Sequence, residues 1–370
     1  MTLQQLTANL VKSAQLLTIV ICFAFSPAKN RPLKLNEIQV IGSHNSYKQT
    51  IEKPLMELIL AKDTSNIGLD YHHLPIKDQL SLGLRGLEID VLHDPEGKKY
   101  KNPVGLKLLR SKGIIPLPYD ERDELSKKGM KVLHVPDIDF RSHCLTFVGC
   151  LMEIKEWSDA NPDHLPIIIT INPKDSGIEL PGFTSVFPFT SNVLDSLDKE
   201  ILSVFPPSRL VTPDLVKGKS ATLREAVTTK GWPLLKSVRG KMLFVLDAEA
   251  GVTNLYIKTS LKSKPMFPNV PVDKPEAAFL IMNEPATQHD KIREFVKLGF
   301  MVRTRADSET REARRNDYSR LKQAISSGAQ LISTDYYDAS LSPSGNFEIS
   351  YGDNSFAHCN PLIAPEHCHL

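Results

Sequence analysis

The sequence predicts an α/β fold, a single TIM-type (β/α)8 barrel that can be irregular and that carries two long inserted connections. Eight short β-branched or apolar runs alternate with longer helical stretches between residues 37 and 334, and this alternation is typical of a parallel sheet covered by helices. Eight strands are the number that closes a barrel. The length of 370 residues fits one decorated barrel as well as about two average domains, and no internal repeat favours the second arrangement.

The predicted strands follow the apolar runs in chain order. They cover residues 37–41, 86–91, 131–134, 166–171, 242–246, 279–282, 301–304 and 331–334. Helices are predicted at 150–159, 290–297 and 316–326, the last followed by Gly328 as a C-cap. The connections 94–130 and 176–240 are rich in proline and charged residues, so we interpret them as insertions into one barrel rather than as a second domain.

Composition excludes several classes of protein. The 45 Lys and Arg nearly balance the 43 Asp and Glu, leaving a net charge of +2, so no global charge excess drives nucleic-acid binding. Hydrophobic residues make up 41% of the chain, which contains only 19 Gly and 26 Pro. These values exclude a disordered or collagen-like chain.

Residues 1–28 have the pattern of a signal peptide, and the barrel is assigned to residues 29–370. Lys12 is the only charged side chain before an apolar run over residues 16–25, and Ser26-Pro27-Ala28 follows. A buried helix or an uncleaved anchor is the alternative, but the run is much shorter than the roughly 20 residues that span a bilayer. We therefore expect a secreted, extracellular or periplasmic protein.

The cysteine pattern also indicates an oxidising compartment. One of the five cysteines, Cys22, lies in the signal segment. The other four form two close pairs in the sequence, Cys144 with Cys150 and Cys359 with Cys368. Four cysteines allow three pairings, of which we favour the short-range one. Zinc binding is the alternative, because histidines flank the second pair, but the chain has no C-x-x-C spacing to support it.

The second predicted strand carries two carboxylates on one face. Because residues 87, 89 and 91 are apolar, Glu88 and Asp90 share the opposite face, about 7 Å apart. At an effective dielectric near 20 their repulsion is about 2 kcal/mol, so a barrel mouth would need a cation there. Oxygen ligands favour Ca²⁺ or Mg²⁺, and the Asn45 amide at the end of the first strand can join them. A solvated pair on an edge strand is the alternative.

Two histidines lie near predicted strand ends. His44 comes shortly after the first strand, and His134 is the last residue of the third. Such a pair suits acid–base chemistry at a phosphate ester, because one imidazole removes a proton while the other donates one. His143 is a weaker candidate for the second position. His44 alone could also be an ordinary turn residue.

Further polar residues follow the fourth and seventh strands. Asn172 could supply another oxygen ligand, and Lys174 could bind a phosphate; capping or surface roles are the alternatives. Arg303 and Arg305 lie on one face of the seventh strand and could bind phosphate bidentately. Alternatively, they pair with nearby carboxylates.

Several motifs together resemble one known family. They are Ser43-His44-Asn45-Ser46-Tyr47, Arg85-Gly86-Leu87-Glu88-Ile89-Asp90, His134 with Val135-Pro136-Asp137-Ile138-Asp139, Trp157-Ser158-Asp159-Ala160-Asn161-Pro162, Leu165-Pro166-Ile167-Ile168-Ile169, Val302-Arg303-Thr304-Arg305-Ala306-Asp307 and Ser333-Thr334-Asp335-Tyr336-Tyr337. In this order they resemble the catalytic barrel of phosphatidylinositol-specific phospholipase C, most of all its calcium-dependent secreted branch in bacteria and fungi. The resemblance covers nearly the whole chain after residue 28.

The resemblance implies a function and roles for individual residues. His44 and His134 match the two catalytic histidines, and Asn45, Glu88 and Asp90 match metal ligands. Asn172 occupies the position of a further acidic ligand in animal members, a departure that removes one negative charge from the implied ligand set. The implied substrate is phosphatidylinositol or a related phosphodiester, cleaved to diacylglycerol and a cyclic inositol phosphate.

Two other functions stay open at this stage. The first is a glycerophosphodiester or sphingomyelin-type phosphodiesterase, and the second is a secreted binding module that keeps the barrel without turnover. We expect a monomer that contacts a membrane surface transiently through the apolar segment 180–189, for which core packing is the alternative.

Overall fold

Eight parallel strands form a nearly closed barrel. The computed structural model describes residues 31–353, 355–366 and 368–370, so the predicted signal peptide lies outside the described residues. The strands are β1 Ile38–Ser43, β2 Gly86–Val91, β3 Ile167–Pro173, β4 Met242–Leu246, β5 Met266–Pro268, β6 Phe279–Ile281, β7 Met301–Arg305, β8 Leu331–Thr334 and a ninth, antiparallel to β1, β9 Ala357–Cys359. Their order is β5-β4-β3-β2-β1-β8-β7-β6. At the open edge, Asn269 Oδ1 accepts a 3.1 Å hydrogen bond from the Ile281 amide.

Helices fill the connections and cover the outside of the barrel. They are α1 Lys53–Lys62, α2 Ile76–Leu82, α3 Val104–Ser111, α4 Phe147–Ala160, α5 Ser191–Val204, α6 Pro213–Lys217, α7 Leu223–Glu225, α8 Leu235–Val238, α9 Ala250–Ile257, α10 Pro285–Leu298, α11 Arg311–Arg315 and α12 Ser319–Ser327. The three predicted helices correspond to α4, α10 and α12, and Gly328 ends α12 in the left-handed conformation. In the described part of the chain, no helix combines the length and apolarity that crossing a bilayer requires.

One of the eight predicted strands is wrong, and one barrel strand was not predicted. Residues 131–134 form no barrel strand, because Lys131 makes only isolated antiparallel bridges, to Leu92 and Thr146. In the barrel, β3 pairs directly with β2 over six residues. The missed strand is β5, which has three residues, ends in Pro268 and lies within a polar stretch, so its pattern is weak. The other seven predicted strands are confirmed within two residues at either end.

The central strands are buried on both faces, which explains their continuous apolar runs. The odd-numbered residues of β2 and β3, together with alternate residues of β4, pack against α4 and α5: Leu87, Ile89, Val91, Ile167, Ile169, Ile171, Met242, Phe244 and Leu246. The alternate residues face the barrel interior, where Ile168 packs with Leu243 and Val245. Glu88 and Asp90 therefore project into the interior, as the alternation predicted.

Two glycines bring β1 and β2 together next to the candidate site. A Cβ atom on Gly42 would lie 2.5 Å from the Cα atom of Gly86, a separation that no side chain permits. Gly42 is also the register partner of Gly86. The close approach places the end of β1, which carries His44, beside the carboxylates of β2.

Both short-range disulfides are formed, as predicted. Cys144 pairs with Cys150 at a Cα–Cα distance of 5.2 Å, and Cys359 pairs with Cys368 at 6.0 Å. The first joins the segment after His134 to α4, and the second joins β9 to the C-terminal residues. Covalent closure of such loops stabilises a fold mainly by restricting the unfolded chain.

Candidate active site

His44 is held over the barrel mouth by a turn at the end of β1. The following residue, Asn45, adopts a left-handed conformation with φ 49°, and asparagine tolerates this region better than most residues. The His44 amide donates to the Thr334 carbonyl at 3.0 Å, and Ser46 exchanges hydrogen bonds with the backbone of Glu88. These bonds tie the turn to both neighbouring strands.

The ring of His44 contacts two charged side chains. Its Nδ1 lies 2.8 Å from Asp335 Oδ1, and its Nε2 lies 3.2 Å from Arg305 Nη1. Because a guanidinium only donates, Nε2 accepts and Nδ1 carries the hydrogen that Asp335 accepts. Burial lowers the pKa of His44 well below its ordinary value, and the positive charge of Arg305 lowers it further. The imidazole is therefore neutral, with a lone pair directed at Arg305.

His134 has a similar arrangement, although it does not lie on a strand. Its Nδ1 is 2.7 Å from Asp139 Oδ2, and Lys48 Nζ is 3.3 Å from the other oxygen of this carboxylate. Proximity to His134 also lowers the pKa of His44. Lys48, which pairs with Asp139, lies 4.5 Å from the centroid of the Tyr71 ring, and that ring stacks on His44 at 5.8 Å, so the two histidines belong to one site. His143 instead contacts the His73 carbonyl and Gln49; it therefore lacks the carboxylate partner that His134 has.

Two predicted metal ligands form ion pairs with two predicted phosphate-binding cations, whereas the third cation, Arg305, pairs with Asp335. Glu88 pairs with Arg303, whose other nitrogens donate to Ser333 Oγ and Asn283 Oδ1, both at 2.8 Å. Lys174 Nζ lies 2.8 Å from Asp90 Oδ2. Arg303 and Lys174 are therefore already neutralised by carboxylates.

Three carboxylates at this site had no predicted role. Asp335 and Asp139 lie within the motifs quoted above, and Asp247 directly follows β4. Asp247 lies 3.8 Å from Arg303 Nη1. Burial raises its pKa to about 6, with a contribution from the negative charges of Glu88 and Asp90. A carboxylate directly after a strand is the signal that could have identified Asp335 and Asp247, but Asp139 has no such signal.

The donor atoms at the mouth fit a hard divalent cation. Oδ1 of Asn45 and Oδ1 of Asp90 are buried without a hydrogen-bond donor, and such orphaned oxygens are costly unless a cation or water contacts them. Glu88 and Asp247 add carboxylate oxygens. Asn172 is half-buried beside Asp90, its register partner. Within the described ranges, no three His, Cys, Asp or Glu side chains already converge on one point, since Arg303 and Lys174 lie among them.

The fold and the site together define a class of protein, a phosphodiesterase barrel with two histidines and a cluster of oxygen ligands at the carboxyl ends of its strands. Comparison with protein families then identifies the chain more closely. Residues 33–361 match the family described as Phosphoinositide phospholipase C, Ca2+-dependent. The chain belongs to this family and is an enzyme of the phosphatidylinositol phospholipase C type.

Solved structures show the same fold at low sequence identity. One is the calcium-dependent phosphoinositol-specific phospholipase C of a Pseudomonas species in a myoinositol complex, with 15% identity, a TM-score of 0.55 and coverage of 89% of this chain and 96% of that one. Another is the Ca2+-dependent enzyme of Streptomyces antibioticus, with 17% identity, a TM-score of 0.51 and coverage of 82% and 95%. In a comparison with curated proteins, none matches the chain.

Proposed function

We propose that this chain cleaves phosphatidylinositol by acid–base catalysis, with His44 as the base and His134 as the acid. One observation carries the proposal: two histidines, each backed by a buried aspartate, meet at one barrel mouth. An aspartate behind a catalytic imidazole fixes its tautomer and stabilises the imidazolium that forms.

The geometry around each ring supports this division of roles. Burial and the charge of Arg305 keep His44 neutral, and Asp335 holds the hydrogen on Nδ1, so that the lone pair is on Nε2, as a base requires. This lone pair accepts from Arg305 in the structure, and we propose that the substrate hydroxyl replaces that hydrogen bond. The lone pair takes the proton of the inositol 2-hydroxyl, whose oxygen attacks the phosphorus. The bond from phosphorus to the diacylglycerol oxygen breaks, and His134 gives that oxygen a proton. A cyclic phosphodiester remains, which water can open by the reverse sequence of proton transfers.

Calcium is the ion that the family description names, and nothing in the comparisons supports Mg²⁺. We propose Asn45, Glu88, Asp90 and Asp247 as its ligands, with Asn172 beside them. A bound divalent cation lowers the pKa of a coordinated hydroxyl and stabilises charge on phosphoryl oxygens. Binding of the cation would require Arg303 and Lys174 to give up part of their contact with Glu88 and Asp90, and a released side chain would then be available to the substrate phosphate.

Product analysis tests this function. The full chain is incubated with phosphatidylinositol, phosphatidylcholine and glycerophosphoinositol, with and without calcium, and the products are separated by mass. We expect a cyclic inositol phosphate from phosphatidylinositol alone. Choline phosphate would indicate a sphingomyelin-type activity instead, and cleavage of glycerophosphoinositol without a cyclic product would indicate a glycerophosphodiesterase. No turnover of any substrate would favour the binding module.

We also propose that the enzyme acts outside the cytoplasm as a monomer. The two disulfides require oxidising conditions to form and persist, and residues 1–28 have the signal-peptide pattern. N-terminal sequencing of secreted protein tests the cleavage site: a first residue at 29 supports the proposal, and an intact N-terminus contradicts it. The mass in solution, measured by light scattering, tests the monomer.

A further inference from the structure

The two long insertions expose apolar side chains at the end of the barrel where the candidate site opens. One insertion leaves the carboxyl end of β2 and the other the carboxyl end of β3. Ile115 and Leu117 of the first are 92% and 61% exposed, and Leu180 and Phe187 of the second are 57% and 39% exposed. The two insertions are in contact, because Lys99 Nζ lies 4.1 Å from the centroid of the Phe187 ring, and exposed apolar groups in adjoining loops are typical of an interaction surface.

The first insertion is also strongly basic. Residues 98–128 contain nine Lys and Arg against four Asp and Glu, whereas the whole chain has a net charge of +2. Lys107, Arg110 and Lys112, on and just after α3, are exposed. None of these three cations forms an ion pair within the part of the chain that the structure describes. Apolar side chains beside unpaired cations complement an anionic lipid surface.

Asp137 joins both insertions to the loop of the proposed acid. Its buried carboxylate accepts from the Val104 amide at 2.9 Å, at the start of α3. It also accepts from the Thr184 amide at 2.6 Å and the Thr184 hydroxyl at 3.1 Å, in the second insertion. Asp137 lies between His134 and its partner Asp139 in the sequence. The insertions are therefore held in a defined position relative to the catalytic mouth.

We propose that a docking surface for anionic phospholipid bilayers is formed by Ile115, Leu117, Leu180 and Phe187 together with the cations on and after α3. The proposal rests on the proposed function, because phosphatidylinositol presents its scissile phosphate at a bilayer surface. The apolar side chains enter the boundary between headgroups and acyl chains, and the cations contact lipid phosphates. The segment 180–189 contributes only in part, since Phe189 is buried in the core.

Vesicle binding by folded full-length protein tests the apolar part. The variant Ile115→Ser/Leu117→Ser changes two exposed side chains, and the matched control is Leu215→Ser/Leu298→Ser on the outer helices, where both leucines are about half exposed. Sedimentation uses phosphatidylcholine vesicles that contain phosphatidylglycerol as the anionic lipid. We expect binding at least about tenfold weaker for the first variant and unchanged for the control. Equal binding by both variants and the native chain would overturn the proposal.

A charge reversal tests the basic part. Lys107→Glu/Arg110→Glu is compared with Lys236→Glu/Lys322→Glu, which exchanges the same number of charges at exposed positions elsewhere. We expect the first variant to lose binding to phosphatidylglycerol-containing vesicles by tenfold or more, and the second to change it by less than threefold. An equal loss in both variants would show that net charge, rather than this surface, governs binding, and would refute the proposal.

Activity measurements separate this proposal from the proposed function. Each variant is assayed on phosphatidylinositol in vesicles and on a short-chain phosphatidylinositol below its micellar concentration. We expect Ile115→Ser/Leu117→Ser to lose vesicle hydrolysis in proportion to binding and to keep hydrolysis of the soluble substrate within twofold. An equal fall in hydrolysis of both substrates would contradict docking. It would indicate instead that Ile115 and Leu117 support the catalytic loop. A native chain that binds vesicles but cleaves neither substrate would refute the proposed function alone.

Discussion

Replacing Asp335 by Asn tests the catalytic arrangement most directly. The two carboxylate oxygens accept from two different donors: Oδ1 from His44 Nδ1 at 2.8 Å, and Oδ2 from Arg305 Nη2 at 3.0 Å. An amide offers one acceptor and one donor, so its NH2 group must face one of these two hydrogens. If the NH2 group faces His44, the imidazole must move its hydrogen from Nδ1 to Nε2, which is the wrong tautomer for a base. If the NH2 group faces Arg305, two hydrogen-bond donors oppose each other.

The expected loss of activity can be estimated from enzymes in which an aspartate supports a catalytic histidine in the same way. A carboxylate-to-amide change behind a catalytic histidine lowers kcat about 10⁴-fold in serine proteases, which corresponds to about 5 kcal/mol of activation free energy. We expect a loss of this order for Asp335→Asn, together with about 1–3 kcal/mol of folding stability. Asp335→Ala removes the carboxylate without introducing a competing donor, so we expect a smaller loss, about 10²-fold.

The assay is kcat on soluble short-chain phosphatidylinositol, with circular dichroism to confirm folding. The matched control is Asp290→Asn on α10, because Asp290 also contacts a histidine, His289 Nδ1 at 2.9 Å, but is fully exposed. We expect the control to retain full activity. If folded Asp335→Asn keeps more than a tenth of the native kcat, Asp335 does not orient the base, and the assignment of His44 fails with it.

Three further predictions concern the metal, the buried ion pair and pH. Chelation of calcium should abolish activity and added Ca²⁺ should restore it; full activity in chelator would contradict the metal role. Glu88→Gln removes the nearer of the two carboxylates that pair with the buried Arg303, leaving Asp247 at 3.8 Å, and should lower the free energy of unfolding by about 1.5–3 kcal/mol, measured by denaturant titration; a loss below 1 kcal/mol would refute this. Burial raises the pKa of Asp198 to about 6 from 3.8, so the folded state binds the proton more tightly, and stability from this group is lost as pH rises through 6. Asp198→Asn still offers the Tyr256 hydroxyl a hydrogen-bond acceptor but cannot titrate. We therefore expect Tm to change less with pH near pH 6 in this variant.

Local sequence pattern determined much of the fold. The alternation in β2 placed Glu88 and Asp90 on the interior face, because side chains on a strand alternate between its two faces. Continuous apolar runs identified the central strands, which are buried on both sides. The short spacing within each cysteine pair indicated the two disulfides. His44 and Asn45 were recognised because they follow a strand end, where such barrels place their chemistry.

Only the tertiary structure decided which groups are partners. Glu88 and Arg303 are 215 residues apart in the sequence, and His44 and Asp335 are 291 apart, so no local periodicity connects them. The segment around His134 resembled a strand, yet its backbone pairs with the chain leaving β2 instead of entering the barrel. Closure of the barrel brings distant strand ends to one mouth, where burial and charge then determine which cation neutralises which carboxylate. The sequence by itself therefore identified candidate residues such as His44, His134, Glu88 and Asp90. The folded chain decided how they are paired, and it added the carboxylates Asp335, Asp139 and Asp247.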